Sequence, residues 1–457
     1  MHQHSPLKPA ATTPLGADAV EAGQILLRVC DVLDRAGVAH CLLHGYENYP
    51  HRIESDVDLV IESRLSPDRL VALLRDHKAS IGADVIMRRG HCVVMAGGSP
   101  GGIVTLDFAI RCEADGLILY DGAPLLASRR RHRQFWIPQA SLEFACGIAR
   151  AVAKSRLDQA RGAKLSALSL QDPAGCLGEI ARFWRGPNHD LIVSAVRSGD
   201  WGKVFDNLGP IRSELRKRMI RNAPIQHLTG FVWRALDRVR RLWQPEGVTA
   251  VLLGPDGAGK SSVIAALPHR LSEALQHSAC WGFAPPLHRL LGKKRGSTDQ
   301  PHVLPPRGTF ASMVRAAYWL VYALLSQVVL RVVLARAALV MYDRHFVDIL
   351  VDTRRYRYGG PDWALQWVWH LMPKPNLVIL LDAPAEILQQ RKQEVPLAVT
   401  ARQRDAYLAL VRNIPNGHVV DAGQSREAVT DQVARVVLRY LAARVADRAP
   451  AGLPPQQ

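Results

Sequence analysis

Gly254, Gly259, Lys260 and Ser261 stand at the spacing Gly-x-x-x-x-Gly-Lys-Ser within VTAVLLGPDGAGKSS. An apolar, strand-like run precedes this loop. A helix-like pattern, Ser262–Leu275, follows it, and Pro268 is expected to kink or shorten that helix. Glycine lets backbone N–H groups converge on phosphate oxygens with no Cβ in the way, and a helix N-terminus adds a positive dipole end. Gly254, Asp256, Gly257, Ala258, Gly259, Lys260, Ser261 and Ser262 are therefore expected to cradle the phosphates of a nucleoside triphosphate. Lys260 would neutralise the outer phosphates, and the Ser261 hydroxyl would ligate Mg²⁺. A nucleoside triphosphate and Mg²⁺ are the expected ligands of this loop.

Two further groups belong to the same chemistry. Asp343 and Arg344 close the apolar run ALVMYDRHF. A carboxylate at the C-terminal end of a parallel strand lies where ligands collect, and can join a Mg²⁺ shell or accept a proton. Arg344 beside it can grip a phosphate bidentately. Arg391 and Lys392 follow NLVILLD, where a cation can close over a transferring phosphoryl group. Asp382, ending that run before Pro384, reads as a structural cap.

A second acidic constellation lies near the N-terminus, in LLHGYENYPHRIESDVDLVI. Strand alternation places Asp56 and Asp58 on one face, and Asp107, on the later run GIVTLDFAI, could complete a three-carboxylate cradle for a divalent metal. An incidental acidic pair on a solvated turn remains the alternative. His44 and His51 flank the motif and read as structural or exposed residues.

These side chains must be positioned by three regions between loose tails at 1–17 and 449–457. Residues 18–122 alternate short strands with two helical patterns, Val20–Ala36 and Pro67–His77, and form a mixed α/β domain. Residues 123–246 read as a helical connector, with helices over Ser141–Lys154, Pro173–Trp184, Leu191–Ser198 and Pro210–Arg221. Residues 247–448 alternate helices with near-continuous apolar runs, as parallel strands covered on both faces do. The fold class expected is thus α/β multidomain, with a C-terminal parallel sheet flanked by helices.

The chain has 457 residues and a formal net charge of +17. That balance favours anionic partners: nucleotides, phosphorylated metabolites or an anionic membrane surface. Nucleic acid is not expected, because the basic run at Arg129–Arg133 lacks interleaved aromatics. The 7 cysteines are scattered without a CxxC pair, which points to a reducing cytoplasm. The N-terminal residues lack the apolar core of a signal peptide. Ala316–Met341 is the sole membrane candidate. Its longest uncharged stretch, Ala316–Leu330, falls short of the ~20 residues a span needs, so a buried helix running into a buried strand is expected.

GPDGAGKSS, MYDRHF and PKPNLVILLDAPAEILQQRKQE together resemble the thymidylate kinase family of nucleoside monophosphate kinases over roughly 247–441. The resemblance implies ATP as donor, Mg²⁺ and a mobile lid carrying Arg391. It also implies Asp256 near the phosphates, with Asp343 and Arg344 facing the acceptor. The family's Arg-Glu-Pro segment is absent from HSACWGFAPPLHRLLGKKRG, His345 stands where a Tyr is usual, and the arginine-rich DTRRYRYGGP differs from the usual base-binding region. The acceptor is therefore expected to be another phosphate- or hydroxyl-bearing molecule. Residues 26–111 resemble the polymerase-beta-type nucleotidyltransferases, with Tyr46 in place of the Ser that follows Gly45 in their pattern. Proteins similar to this two-part arrangement serve bacterial surface-polysaccharide assembly, which implies a sugar or glycan-precursor acceptor.

The leading expectation is an ATP- and Mg²⁺-dependent phosphotransferase with Lys260, Asp343, Arg344 and Arg391 as its working residues. Nucleotidyl transfer through Asp56, Asp58 and Asp107 with an ATP-sensing partner domain is the alternative. A nucleotide-gated scaffold is the third reading. Peripheral membrane contact and a homodimer are both compatible with the sequence.

Overall fold

The computed structural model describes residues 17–448 apart from 54, 90–91, 99–101, 276, 283–304 and 393–395. The chain divides into two compact units, 1–233 and 234–457.

In the first unit, α1 (Ala17–Arg35) precedes β1 (His40–Leu42), β2 (Val57–Ile61), α2 (Pro67–Asp76) and α3 (Lys78–Ile81). Strands β3 (Val85–Arg89), β4 (Cys92–Ala96), β5 (Ile103–Ala109), β6 (Arg111–Ala114) and β7 (Leu117–Asp121) follow. Next come α4 (Gly122–Ala127), β8 (Arg130–His132) and β9 (Phe135–Ile137). The rest is helical: α5 (Ala140–Ala153), α6 (Gln159–Ser169), α7 (Pro173–Phe183), α8 (Gly186–Ser198), α9 (Gly202–Asp206), α10 (Leu208–Asn222) and α11 (Pro224–Trp243), which holds the unit boundary.

The main sheet has the order β1-β2-β5-β4-β3, with β2 and β5 parallel and the other pairs antiparallel. Alternation sends Leu59 and Ile61 of β2 into a core with α1 and α2. It sends Val60 into a second core with Phe144 and Ile148 of α5, Phe183 of α7 and Leu215 of α10. Asp172 caps α7 by accepting from the Gly175 N–H at 3.0 Å, with Pro173 at the first helical position. The helices expected as a separate connector over 123–246 thus share one core with the strands before them. A sheet with two apolar faces requires this, since one layer of helices covers only one face.

The second unit carries β10 (Val248–Leu253), α12 (Lys260–Arg270), β11 (His277–Trp281), α13 (Thr309–Leu334) and β12 (Ala338–Tyr342). Helices α14 (Phe346–Val351) and α15 (Asp362–Leu371) lead to β13 (Leu377–Asp382). Helices α16 (Ala385–Arg391) and α17 (Leu397–Arg412), strand β14 (Gly417–Asp421) and α18 (Arg426–Arg448) complete it. Five parallel strands run in the order β11-β12-β10-β13-β14. Val251, Val340 and Leu380 meet Leu330 of α13 and Tyr407 of α17 on one face. Helices α12 and α18 pack together, and α18 also packs against β10, β13 and β14. The chain leaves β10 towards β11 on one side and leaves β12 towards β13 on the other. The carboxyl ends of β12, β10 and β13 therefore flank a topological switch point.

Strand β11 was not foreseen, while α12 carries Pro268 and ends at Arg270, five residues short of Leu275, as the expected shortening by that proline implies. One local expectation is corrected. The buried helix expected within Ala316–Met341 is α13, and its outer face is exposed: only 22% of its most apolar 18-residue window is buried. Its inner residues Ala316, Trp319, Leu330 and Leu334 do pack into the unit, and β12 beyond it is buried. Composition alone could not separate the two faces, because both are apolar.

Phe144→Ala removes a fully buried ring from the shared core of the first unit. It is expected to lower that unit's unfolding free energy by about 3–5 kcal/mol. Urea denaturation of the full chain measures this, and a loss below about 1 kcal/mol would mean that α5 does not share the sheet's core.

Candidate functional site

Strand β10 ends at Leu253, and residues 254–259 turn the chain into α12. Three glycines of that turn hold positive φ: Gly254 at 147°, Gly257 at 88° and Gly259 at 87°. A Cβ on Gly254 would lie 2.7 Å from the Leu381 carbonyl oxygen, and one on Gly257 2.6 Å from that of Leu388. Both neighbours are backbone, so no rotamer change relieves the clash. Glycine is required here by conformation and by space together.

Gly259 caps α12, which begins at Lys260. The Lys260 ammonium turns back into the loop and donates to the Gly254 carbonyl at 2.6 Å and the Pro255 carbonyl at 3.1 Å. Burial pulls its pKa below the ordinary lysine value, against the attraction of Asp256, Asp348 and Asp343. Ser261 and Ser262 are exposed at the first turn of α12, and the Ser262 carbonyl accepts from Arg426 at 3.4 Å.

Asp343 and Arg344 follow β12, the strand hydrogen-bonded to β10. The Asp343 N–H donates to the Trp281 carbonyl at 3.1 Å, and its carboxylate acts electrostatically on Lys260. Arg344 is exposed. The next residues form a capping box at α14: His345 Nδ1 accepts from the Val347 N–H, and Asp348 Oδ2 accepts from the His345 N–H at 2.8 Å. Asp348 Oδ1 accepts from the Tyr407 hydroxyl at 2.9 Å. Burial raises the Asp348 pKa, with its hydrogen bonds and Lys260 opposing.

Arg355, from the segment DTRRYRYGGP, reaches the glycine-rich loop. Its Nη1 donates to Asp256 Oδ2 at 3.1 Å. Burial disfavours its charge, but Asp256 and the neighbouring tyrosines and Asp348 outweigh burial and hold its pKa above the usual value. Its Nε is buried and makes no hydrogen bond among the described residues. Neither Arg355, Asp348 nor Tyr407 was foreseen as part of this site. The unusual arginine run was the available signal for Arg355.

Arg391, at the end of α16, donates from Nη1 to the Ala422 carbonyl at 2.8 Å. Its guanidinium is thus tied to the segment after β14. Asp382, expected as a cap, instead accepts a bidentate pair from Arg404 at 2.7 and 2.9 Å.

The acidic constellation of the first unit takes a different form. Parallel register places Asp58 of β2 beside Asp107 of β5. Asp58 Oδ2 lies 2.9 Å from Arg150 Nη2 and 2.6 Å from His44 Nε2. Burial pushes the Asp58 carboxyl up, yet the His44 hydrogen bond and Arg150 hold it well below the usual carboxylate range. Asp56 precedes the strand, is half exposed, and lies 4.0 Å from Arg89. Among the described residues no three His, Cys, Asp or Glu side chains gather as a metal would need. Of the three carboxylates expected to form a cradle, the structure brings Asp58 and Asp107 side by side, with Arg150 and His44 on Asp58, and leaves Asp56 ahead of the strand near Arg89. Tyr46, after the left-handed Gly45, donates its hydroxyl to the buried Glu143 at 2.6 Å and serves the core. His44 is a partner of the acidic site rather than a bystander.

No family model matches the chain, and no curated protein matches it.

His345 is buried, and its pKa falls to about 4, first through burial and then through Lys374. Its folded value lies below its unfolded one, so the unfolded chain binds the proton first. Stability of the second unit is expected to fall as pH drops from about 6.5 towards 4, by on the order of 3 kcal/mol. Replacing His345 by Asn, which keeps a capping acceptor, should flatten urea-derived stability across that window. An unchanged slope would show that His345 is not the group responsible.

Proposed function

We propose that the second unit binds ATP with Mg²⁺ through residues 254–262 and transfers the terminal phosphoryl group to an anionic acceptor. The observation that carries this reading is the loop itself. Three glycines with positive φ end a buried parallel strand, open α12 at Lys260, and set a buried ammonium among backbone carbonyls. A lysine whose hydrogen bonds go to carbonyls of its own loop is poised to exchange them for phosphate oxygens, which satisfy its charge better.

The amides at the start of α12 would hold the phosphates beside the helix dipole. Ser261, with Asp343 on the adjacent strand, would hold Mg²⁺, which offsets charge as the phosphoryl group departs. Arg344 would orient the acceptor's anionic group. Arg355 already stands at Asp256 with one nitrogen unsatisfied, and would complete that grip. Arg391 would release the Ala422 carbonyl and stabilise the equatorial charge of the transition state, as an arginine finger does. Asp343 would accept the acceptor's proton where that group is a hydroxyl. A sugar or glycan precursor, or a nucleotide, supplies the acceptor chemistry this arrangement fits.

Lys260→Ala is expected to cut ADP formation by about a hundredfold or more, because it removes a cation from the transferring phosphates. Full turnover by that variant would overturn the reading. Labelled ATP offered with nucleoside monophosphates and phosphosugars separates the chemistries: ADP release supports phosphoryl transfer, while pyrophosphate release supports nucleotidyl transfer.

Asp256→Asn is expected to loosen Arg355 and to raise the KM for the acceptor several-fold, with a smaller rise in the KM for ATP because Asp256 belongs to the phosphate loop. Steady-state kinetics with each substrate varied in turn provide the check. An effect on ATP alone would assign Asp256 to the nucleotide instead.

A further inference from the structure

Helix α13 is 26 residues long, which gives it a length of about 39 Å. One side, with Ala316, Trp319, Leu330 and Leu334, packs into the second unit. The opposite side presents Phe310, Val314, Tyr318, Val321, Leu325 and Val328 to solvent, and Val328 is 71% exposed. Helix α15, packed against α13, adds exposed Trp363, Trp367 and Leu371. A contiguous apolar surface of this size is rarely left to water.

Charge selects the occupant. Residues 305–342 contain no Asp or Glu, and their only charged side chains are Arg307, Arg315, Arg331 and Arg336, while α15 adds one exposed acid, Asp362, at its first turn. The cations lie towards the two ends of α13, and no charge falls on the helix between Arg315 and Arg331. We propose that this face docks on the surface of an anionic lipid bilayer, with α13 lying in the plane of the interface. Its apolar side chains would enter the acyl boundary, the exposed tryptophans and Tyr318 would sit at headgroup level, and the exposed Arg331 and Arg336 would reach lipid phosphates, while Arg315 stacks on the buried Trp319.

A membrane span is inconsistent with the packing, because Ala316 and Trp319 near one end of α13 and Leu330 and Leu334 near the other belong to the unit's cores. A second copy fits less well. A twofold axis through α13 lays it antiparallel on its mate and sets the exposed Arg331 against the mate's apolar N-terminal half, with no acid on either helix to pair it.

Flotation of the full chain with phosphatidylcholine vesicles, with and without phosphatidylglycerol, tests this. Binding is expected only to the anionic vesicles and is expected to weaken as salt rises. The triple variant Val321→Asp, Leu325→Asp, Val328→Asp should lose about tenfold or more in bound fraction. All three positions are exposed, so its circular dichroism and melting curve should match the wild type. If it melts early, Arg331→Gln with Arg336→Gln serves instead, and should reduce binding to anionic vesicles without changing the fold. Absence of flotation overturns the proposal. So does unchanged binding by a folded triple variant, which assigns the contact elsewhere, first to the exposed apolar stripe of α11. Light scattering that shows a dimer in the wild type and a monomer in the variant, without vesicle binding, assigns the face to a second copy and also overturns it.

Discussion

Covering a parallel sheet on both faces leaves its carboxyl edge as the place where polar groups can gather, and the second unit is organised by that constraint. Apolar side chains occupy both faces of β10, β12 and β13. Asp256, Lys260, Asp343 and Asp382 accordingly lie in or beside the turns that follow these strands. The charges there are paired by design of the turns: Lys260 with loop carbonyls, Asp256 with Arg355, Asp382 with Arg404. An ammonium buried without such partners would not stay charged. The proposed phosphoryl transfer depends on this arrangement, because its phosphate loop and Asp343 hang from one edge of one sheet, and Arg355 reaches the loop there through Asp256.

The first unit resolves the same electrostatic problem differently. Its neighbouring strand carboxylates, Asp58 and Asp107, are brought side by side by parallel register, and a guanidinium from α5 pairs with Asp58 from within the protein. Removing either member of such a partly buried pair costs more than the pair contributes, since a lone charge is left behind. The arrangement ties α5 to β2 firmly. It gives the helices after 140 a polar anchor to the sheet as well as an apolar one.

Much of this was legible in the sequence, for identifiable reasons. β10, β12, β13 and β14 announced themselves as apolar runs, and the glycine-rich turn declared its own backbone geometry. β11 did not, because an edge strand with exposed residues such as His277 and Ser278 carries no apolar run. The outward face of α13 was hidden because a helix apolar all round gives no periodicity from which to read direction. Arg355 lies 99 residues from Asp256, and Arg150 lies 92 from Asp58. Pairings of that separation are set by topology, and no local pattern encodes them. The motif residues could be found; their partners required the fold.

The Asp348 carboxylate joins two segments that the chain places far apart. It accepts from the His345 N–H on one side and from the Tyr407 hydroxyl on α17 on the other. Nearby, Gln403 of the same helix donates to Asp352 at 3.0 Å. These bonds act as a mechanical linkage. A displacement of α17 would therefore be transmitted to the turn that bears Arg344, a guanidinium more than fifty positions earlier in the chain.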